Sequence, residues 1–220
     1  MGYRHLDRLA SEENLRRFME LADLAAGAKA SANNVLELQQ QLRHSKPMQL
    51  CEKRLALDPA SAALITARHV APRYEIEALR SLPRGSLGHT FATVLGTIDY
   101  DLNFFPDPAF WSDLASDADY INYRIAATHD LHHILTGFSL DTFGELGVTS
   151  VSVAQASIPA FAFIDLIALM LSWLRSDTPV AELSDPTMQA GHVAHVYRTI
   201  SKGLETVSYT HLTLPTILLV

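Results

Sequence analysis

The sequence predicts an all-α fold, a single-domain helical bundle with an apolar cavity and a metal site between two helices. Three observations lead there. Helix start and stop residues recur at helix-length intervals along the 220 residues, while no run alternates apolar and polar with period two. Apolar residues make up 48% of the chain and charged ones 19%, enough for a large core and an internal apolar space. No internal repeat or low-complexity linker divides the chain.

From the N-terminus, Ser11 caps a first helix that runs through Ala26 and stops at Gly27. Ser31 or Asn33 opens a second, with Val35, Leu36, Leu38 and Leu42 as its apolar positions. Pro47, at a first turn, opens a third that ends near Asp58-Pro59, and Pro72 opens a fourth through Leu82. Pro83-Arg84-Gly85-Ser86 reads as a turn: Gly85 permits the bend and Ser86 caps the next helix. Arg84 is also a candidate to meet a carboxylate or phosphate. The segment 99–108, aromatic and rich in Asp and Pro, reads as a loop. A long helix covers 117–136, another covers 142–174 with a bend at Pro159, and Asp185-Pro186 starts a final helix that includes Gly191. Phe104-Phe105 and Phe161-Ala162-Phe163 are core candidates first and cavity walls second.

One run carries chemistry: His129-Asp130-Leu131-His132-His133, then Glu145, or H-D-x-x-H-x(11)-E. Histidines four apart on a helix share a face. Asp130 lies about 100° round from His129, and His133 falls between them. Ile125, one turn earlier, turns this sector inward. Gly137 ends the helix, the chain reverses through Phe138–Asp141, and a second helix from Thr142 brings Glu145 back towards the pair. Two imidazoles and two carboxylates suit a first-row metal and leave a position open for substrate. Burying them in an apolar interior without a partner is costly. The competing reading makes Thr142-x-x-Glu145 a capping box. Arg124 either pairs with Asp130 or holds a carboxylate substrate. His132 points away from the row and reads as a supporting or surface residue. His192-x-x-His195 reads as a solvated helix face.

Composition also excludes. A net charge of -7 with no basic stripe argues against a nucleic-acid partner. The single cysteine, Cys51, leaves no intrachain disulfide and no cysteine-based zinc site, and reads as a small buried residue. Residues 1–7 lack the apolar run of a secretory signal. The greasiest stretch, 158–174, contains Pro159 and Asp165 and spans about 17 residues, the lower limit for crossing a bilayer. A buried core helix is the expectation, with peripheral membrane contact as the second. Residues 207–216 back-translate to a string resembling a widely used transposase sequencing adapter. The natural domain is therefore expected to cover 1–206, incomplete at its C-terminus, with 207–220 a foreign tail.

Over roughly 79–174 these residues resemble a known family, the fourth coenzyme Q biosynthesis protein and its bacterial relatives. His129-Asp130-x-x-His133-x(11)-Glu145 is similar to the family's metal-binding signature. Leu135-Thr136-Gly137, Arg124 and Leu82-Pro83-Arg84-Gly85-Ser86-Leu87-Gly88 are also family-like, whereas Ala126 and Ala127 stand where the family usually has Arg and Glu. The resemblance implies an all-α fold, a zinc-type site of His129, Asp130, His133 and Glu145, and a cavity for a polyprenyl lipid. It implies a role in ubiquinone biosynthesis, with the ring carboxyl at C1 of a prenylated 4-hydroxybenzoate replaced by hydroxyl. On that reading the protein is a metal-dependent decarboxylase (lyase) with Asp130 and Arg124 in the chemistry. Zn2+ is the expected ion and Fe2+ or Mn2+ the alternatives. The partners are a polyprenylated aromatic lipid, other quinone-biosynthesis proteins, the membrane surface and a second copy of the chain. The expected location is the bacterial cytoplasm, peripherally on the inner membrane. Two rivals stand beside it: a non-catalytic lipid-presenting scaffold, and a His-Asp metal phosphohydrolase that recruits His69 or His89.

Overall fold

The computed structural model describes residues 10–28, 31–70, 74–97, 107–176 and 186–209. Its helices are α1 (Glu12–Gly27), α2 (Ala32–Leu42), α3 (Lys46–Leu55), α4 (Pro59–Ala67), α5 (Ile76–Arg80), α6 (Leu87–Leu95), α7 (Asp117–Thr136), α8 (Thr142–Ala156), α9 (Pro159–Ser176) and α10 (Pro186–Tyr209), with a 3-10 segment at Pro108–Leu114 before α7. No strand occurs among the described residues.

Ser11, Ser31 and Ser86 cap the helices as expected, and Ser45 and Ser116, not singled out in the sequence, do the same: each accepts a hydrogen bond from a first-turn amide of the helix it precedes. Gly85 takes a positive φ of 85° in the turn before α6, a conformation that glycine adopts without strain. Three boundaries differ from expectation. Asp58-Pro59 does not end α3 but starts α4: Asp58 accepts from the Ser61 amide, and Pro59 fills a first-turn position where no N–H is needed. The fourth predicted helix begins at Ile76, and Pro72 lies outside the described residues. The predicted helix over 142–174 is two helices. Ser157 adopts a left-handed φ of 59° and closes α8 on the Val153 carbonyl; Pro159, lacking an N–H, then opens α9.

Because the chain breaks there, α9 folds back against α8, and α10 packs on both. Gly203 of α10 permits the closest approach. A Cβ placed on it would lie 2.5 Å from the Gly147 carbonyl and 2.6 Å from Ser150 Cβ. The main core gathers Leu21, Leu38, Met48, Ile125, Phe161 and Ile167 from α1, α2, α3, α7 and α9. Cys51 sits in it fully buried, its thiol pushed up to about 12 by that burial. Two satellite clusters flank α7, one around Trp111, Tyr120 and Tyr123 and one around Phe91, Leu95 and Leu131. Being covered by α3, α4, α6, α8 and the 3-10 segment, α7 is buried over most of its surface. Its polar residues Asp119, Asn122, Arg124, Thr128, His132 and His133 therefore lie inside the protein.

Half of α9 is core, through Phe161, Ile164 and Ile167, while Leu166, Trp173 and Leu174 are each about half exposed or more. Among the described residues no helix is long and apolar enough to cross a membrane. The helix α10 continues through Tyr209, three residues into the segment that resembles an adapter. The rest of that segment, with Phe104-Phe105 and most of the predicted loop at 99–108, lies outside the described residues.

Candidate metal centre

The site is built where α7 ends and α8 begins. Gly137, at φ 72°, caps α7 by bonding the His133 carbonyl at 2.9 Å. The chain reverses over Phe138–Leu140, and Asp141 caps α8 by accepting from the Phe143 and Gly144 amides at 3.0 and 2.9 Å. This overturns the capping-box alternative. With Asp141 as the cap, Glu145 is one position too late to reach back to it, and its side chain turns to α7 instead.

Glu145 Oε2 lies 2.8 Å from His129 Nε2, and Glu145 Oε1 lies 3.3 Å from His133 Nε2. The two Nε2 atoms are 3.3 Å apart. His129, His133 and Glu145 form a group whose ligand atoms all lie within 4.8 Å of one another. Side-chain exposure rises from 1% at His133 through 21% at His129 to 48% at Glu145, so the group opens towards one side.

The hydrogen bonds fix one tautomer. His133 Nδ1 faces the Phe138 carbonyl at 3.2 Å; a carbonyl only accepts, so Nδ1 carries the hydrogen. In neutral His133 the Nε2 lone pair then faces a carboxylate oxygen and a second imidazole nitrogen. Positive charge at the centre of the three groups resolves that repulsion, whether a shared proton or a cation. The pKa directions agree. Burial works to raise Glu145, but hydrogen bonds and charge from His129 and His133 outweigh it and bring the carboxyl down to about 2. Burial works to lower His129, yet the Glu145 hydrogen bond and charge, with Asp130 adding, leave it raised. A bond from Nδ1 to a main-chain carbonyl is also the usual way a metal-binding imidazole is oriented.

Two glycines that the sequence motifs do not include make this possible. A Cβ on Gly144 would fall 1.6 Å from the Ser139 carbonyl oxygen, and one on Gly147 would fall 2.4 Å from the Phe138 ring. Spaced three apart on α8, they leave a groove in which the reversing chain lies. The Gly-x-x-Gly spacing was the available signal, but its partner is set only by the fold.

Beside the site is a cavity of about 700 Å³ whose wall includes His129, Asp130 and Glu145. The rest of its lining is mainly apolar, with Leu36, Phe91, Leu131, Leu146, Phe161 and Ile164 among its residues. Ala126 and Ala127 also line it. Asp130 thus faces the same space as His129 and Glu145, with His133 buried behind them, although its carboxylate is not among the atoms within 4.8 Å.

Arg124 is buried, and the expected ion pair with Asp130 is not made: Nε and Nη1 have no hydrogen-bond partner, and no ion pair involves this side chain among the described residues. Burial lowers its pKa, opposed by the nearby phenols of Tyr120, Tyr74 and Tyr123. His132 is not a surface residue. It is fully buried because the side of α7 away from the site is packed too, and burial depresses it to about 4. His89 Nδ1 contacts the Arg80 carbonyl at 3.0 Å, and neither it nor the exposed His69 joins the group. Arg84 is exposed in its turn. His195 is exposed and meets the Phe143 ring edge-on, while the His192 side chain lies outside the described residues.

Residues 23–194, which contain all of α7 and α8, match the family model of the coenzyme Q (ubiquinone) biosynthesis protein Coq4. The chain belongs to this family. Its fold is similar to the crystal structure of a proposed ubiquinone biosynthesis protein from Nostoc punctiforme PCC 73102. The TM-score is 0.65 at 23% identity, covering 87% of this chain and 83% of that one. No curated protein matches the chain. Membership brings the site's surroundings into one frame: a ubiquinone biosynthesis protein with an imidazole–carboxylate group at the wall of an apolar cavity.

Proposed function

We propose that the protein is a metal-dependent, polyprenyl-lipid-binding member of the ubiquinone pathway that acts on the C1 carboxyl of a prenylated 4-hydroxybenzoate. One observation carries the reading: the apolar cavity of about 700 Å³ has His129, Asp130 and Glu145 on its wall. An isoprenoid chain would take the apolar part and the aromatic head group the polar part. That division matches how ligand pockets combine an apolar wall with a few placed polar groups.

The donor set fits a metal. Two imidazole nitrogens and a carboxylate converge within 4.8 Å, and one imidazole is already oriented through its other nitrogen. His129, His133 and Glu145 would hold the ion, with Asp130 beside it. Three protein ligands leave a position for substrate, which favours an enzyme over a purely structural scaffold. When bound, the metal supplies Lewis acidity to a carboxylate or phenolate oxygen of the head group. Zn2+ suits the donors. Replacing a carboxyl by a hydroxyl is a net two-electron oxidation, so an electron acceptor such as dioxygen has to take part, and Fe2+ or Mn2+ would suit that step better. Asp130 faces the cavity, where its carboxylate can hold or release a proton at the substrate. The three-residue group, with His69 and His89 outside it, does not favour the phosphohydrolase reading.

The exposed Leu166, Trp173 and Leu174 of α9 support peripheral contact with a membrane, from which such a lipid would be drawn. The test is a quinone-producing cell that lacks its own family member, with prenylated intermediates followed by mass spectrometry. The wild-type protein should restore the quinone. Asp130→Ala at normal abundance should leave the carboxylated intermediate to accumulate. Full restoration by Asp130→Ala would move the reading to the scaffold.

A further inference from the structure

We infer that Ala126 marks the place of the ligand's aromatic ring: the ring lies over its methyl group, and the size of residue 126 sets which head groups the cavity accepts. The inference rests on the lipid-cavity reading above and adds to it a specificity-determining residue. Three observations lead to it.

The first is a strip on α7. Between Ala118 and His133 every residue is buried except Ala126, His129 and Asp130. Their spacing of three and four puts them on one helical face, about one turn apart. All three line the cavity, whereas Ala127 and Leu131, also on its wall, are buried. The open part of α7 is therefore a single strip, with an imidazole and a carboxylate at one end and a bare methyl group at the other.

The second is what lies behind that methyl. Ala126 packs against the cluster of Trp111, Leu114, Tyr120, Tyr123 and Ala127, in which Trp111 and Tyr123 are fully buried. A close-packed interior has no space for extra carbons. A larger side chain at 126 cannot retreat into the cluster and must project into the cavity. Leu36 of α2 also lines the cavity and packs against the same cluster. The two residues converge on one part of the cavity, and its width there depends on what stands at 126.

The third is dimension. Along the helix Ala126 lies about 4.5 Å from His129 and about 6 Å from Asp130. A benzene ring with substituents at opposite ends is about as long as that interval. With its acidic oxygen at the His129–Asp130 end, such a ring lies along the strip with one face on the Ala126 methyl. A side chain longer than a methyl would stand where the ring lies. An open-chain acid is thinner beyond its carboxyl and can bend round a larger residue. Residue 126 thus separates ring-headed ligands from open-chain ones by shape.

The experiment compares geranylgeranoic acid, which has no ring, with 3-geranylgeranyl-4-hydroxybenzoic acid, which has one. Their binding to the wild type, Ala126→Ser and Ala126→Leu is measured by calorimetry, with folding checked by circular dichroism and thermal midpoint. The wild type should bind both acids, and Ala126→Ser, which nearly keeps the volume, should match it. Ala126→Leu should bind geranylgeranoic acid within about twofold of the wild type and lose about tenfold or more on the ring-headed acid, the scale of forcing extra carbons into a filled site. Leucine is almost as good a helix former as alanine, so α7 itself is preserved. Should Ala126→Leu not fold, Ala126→Val carries the test. Undiminished binding of the ring-headed acid by the larger variant overturns the inference and leaves the lipid reading standing. Equal loss on both acids also overturns it, by placing Ala126 beside a part that the two ligands share. Failure of the wild type to bind either acid overturns the lipid reading and this inference with it.

Discussion

His133 donates its Nδ1–H to the carbonyl of Phe138, 3.2 Å away, and this bond aims Nε2 at Glu145. Phe138 is held in turn by the α8 glycines, its ring over Gly147 while the neighbouring Ser139 crosses Gly144. A histidine on one helix is therefore oriented by missing side chains on the next.

Gly144→Ala should break that relationship. The new Cβ would meet main chain, which cannot rotate away, so the Phe138–Leu140 turn must move. We expect a loss of about 1–3 kcal/mol in denaturant unfolding, the usual cost of forcing extra carbon into a packed site. Because His133 loses its orienting partner, metal affinity should fall by roughly 10–100-fold. Unchanged stability and metal affinity would show that the turn has more room than the geometry gives it.

A second expectation concerns pH. Asp165 is buried between α8 and α9, its two carboxyl oxygens 3.0 Å from the Ser150 hydroxyl and 3.3 Å from the Thr149 hydroxyl. Burial raises its carboxyl from 3.8 to about 7, the two hydroxyls opposing the shift without cancelling it. Between those values the folded chain keeps a proton that the unfolded chain has lost. Its contribution is complete below pH ~4 and declines as pH rises to about 7, by up to about 4 kcal/mol. Asp165→Asn keeps the packing, removes the titration and should flatten this slope. Chemical denaturation of both proteins across the range checks it, and parallel slopes would contradict it.

The helical class and the His129/His133/Glu145 group were legible in the sequence for a simple reason. A four-residue spacing places both imidazoles on one helical face, and Gly137 with Asp141 marks a short reversal that returns Glu145 to them. The break between α8 and α9 was harder to see. Hydrophobicity runs on through Ile158, and the residue in the left-handed conformation is Ser157, which lacks the glycine that usually marks such a stop. Of the two readings of His132, supporting or surface, the surface one fails because amphipathic reasoning assigns one face of a helix to solvent, whereas this part of α7 is enclosed. Arg124 and Asp130 stand six apart on α7, about 120° from each other round the helix and about 9 Å along it, so the absence of their ion pair follows from helical spacing itself.

The exposed face of α9 yields a third expectation. Leu166, Trp173 and Leu174 are 52%, 60% and 51% exposed, a large apolar outlay for a helix whose other side is core. The wild type should float with neutral phosphatidylcholine vesicles, and Leu166→Ser with Trp173→Ser should reduce the floated fraction several-fold without changing the thermal midpoint. Equal flotation of both proteins would place membrane contact elsewhere.

The most direct measurement is metal content per chain, by elemental analysis, of the wild type, His133→Ala and Glu145→Ala purified identically and checked for folding by circular dichroism. The expected result is close to one first-row ion per wild-type chain and a small fraction of that in each variant, with helicity retained. Equal metal content in all three folded proteins, or none in the wild type after incubation with Zn2+, Fe2+ and Mn2+, would contradict a metal centre at His129, His133 and Glu145.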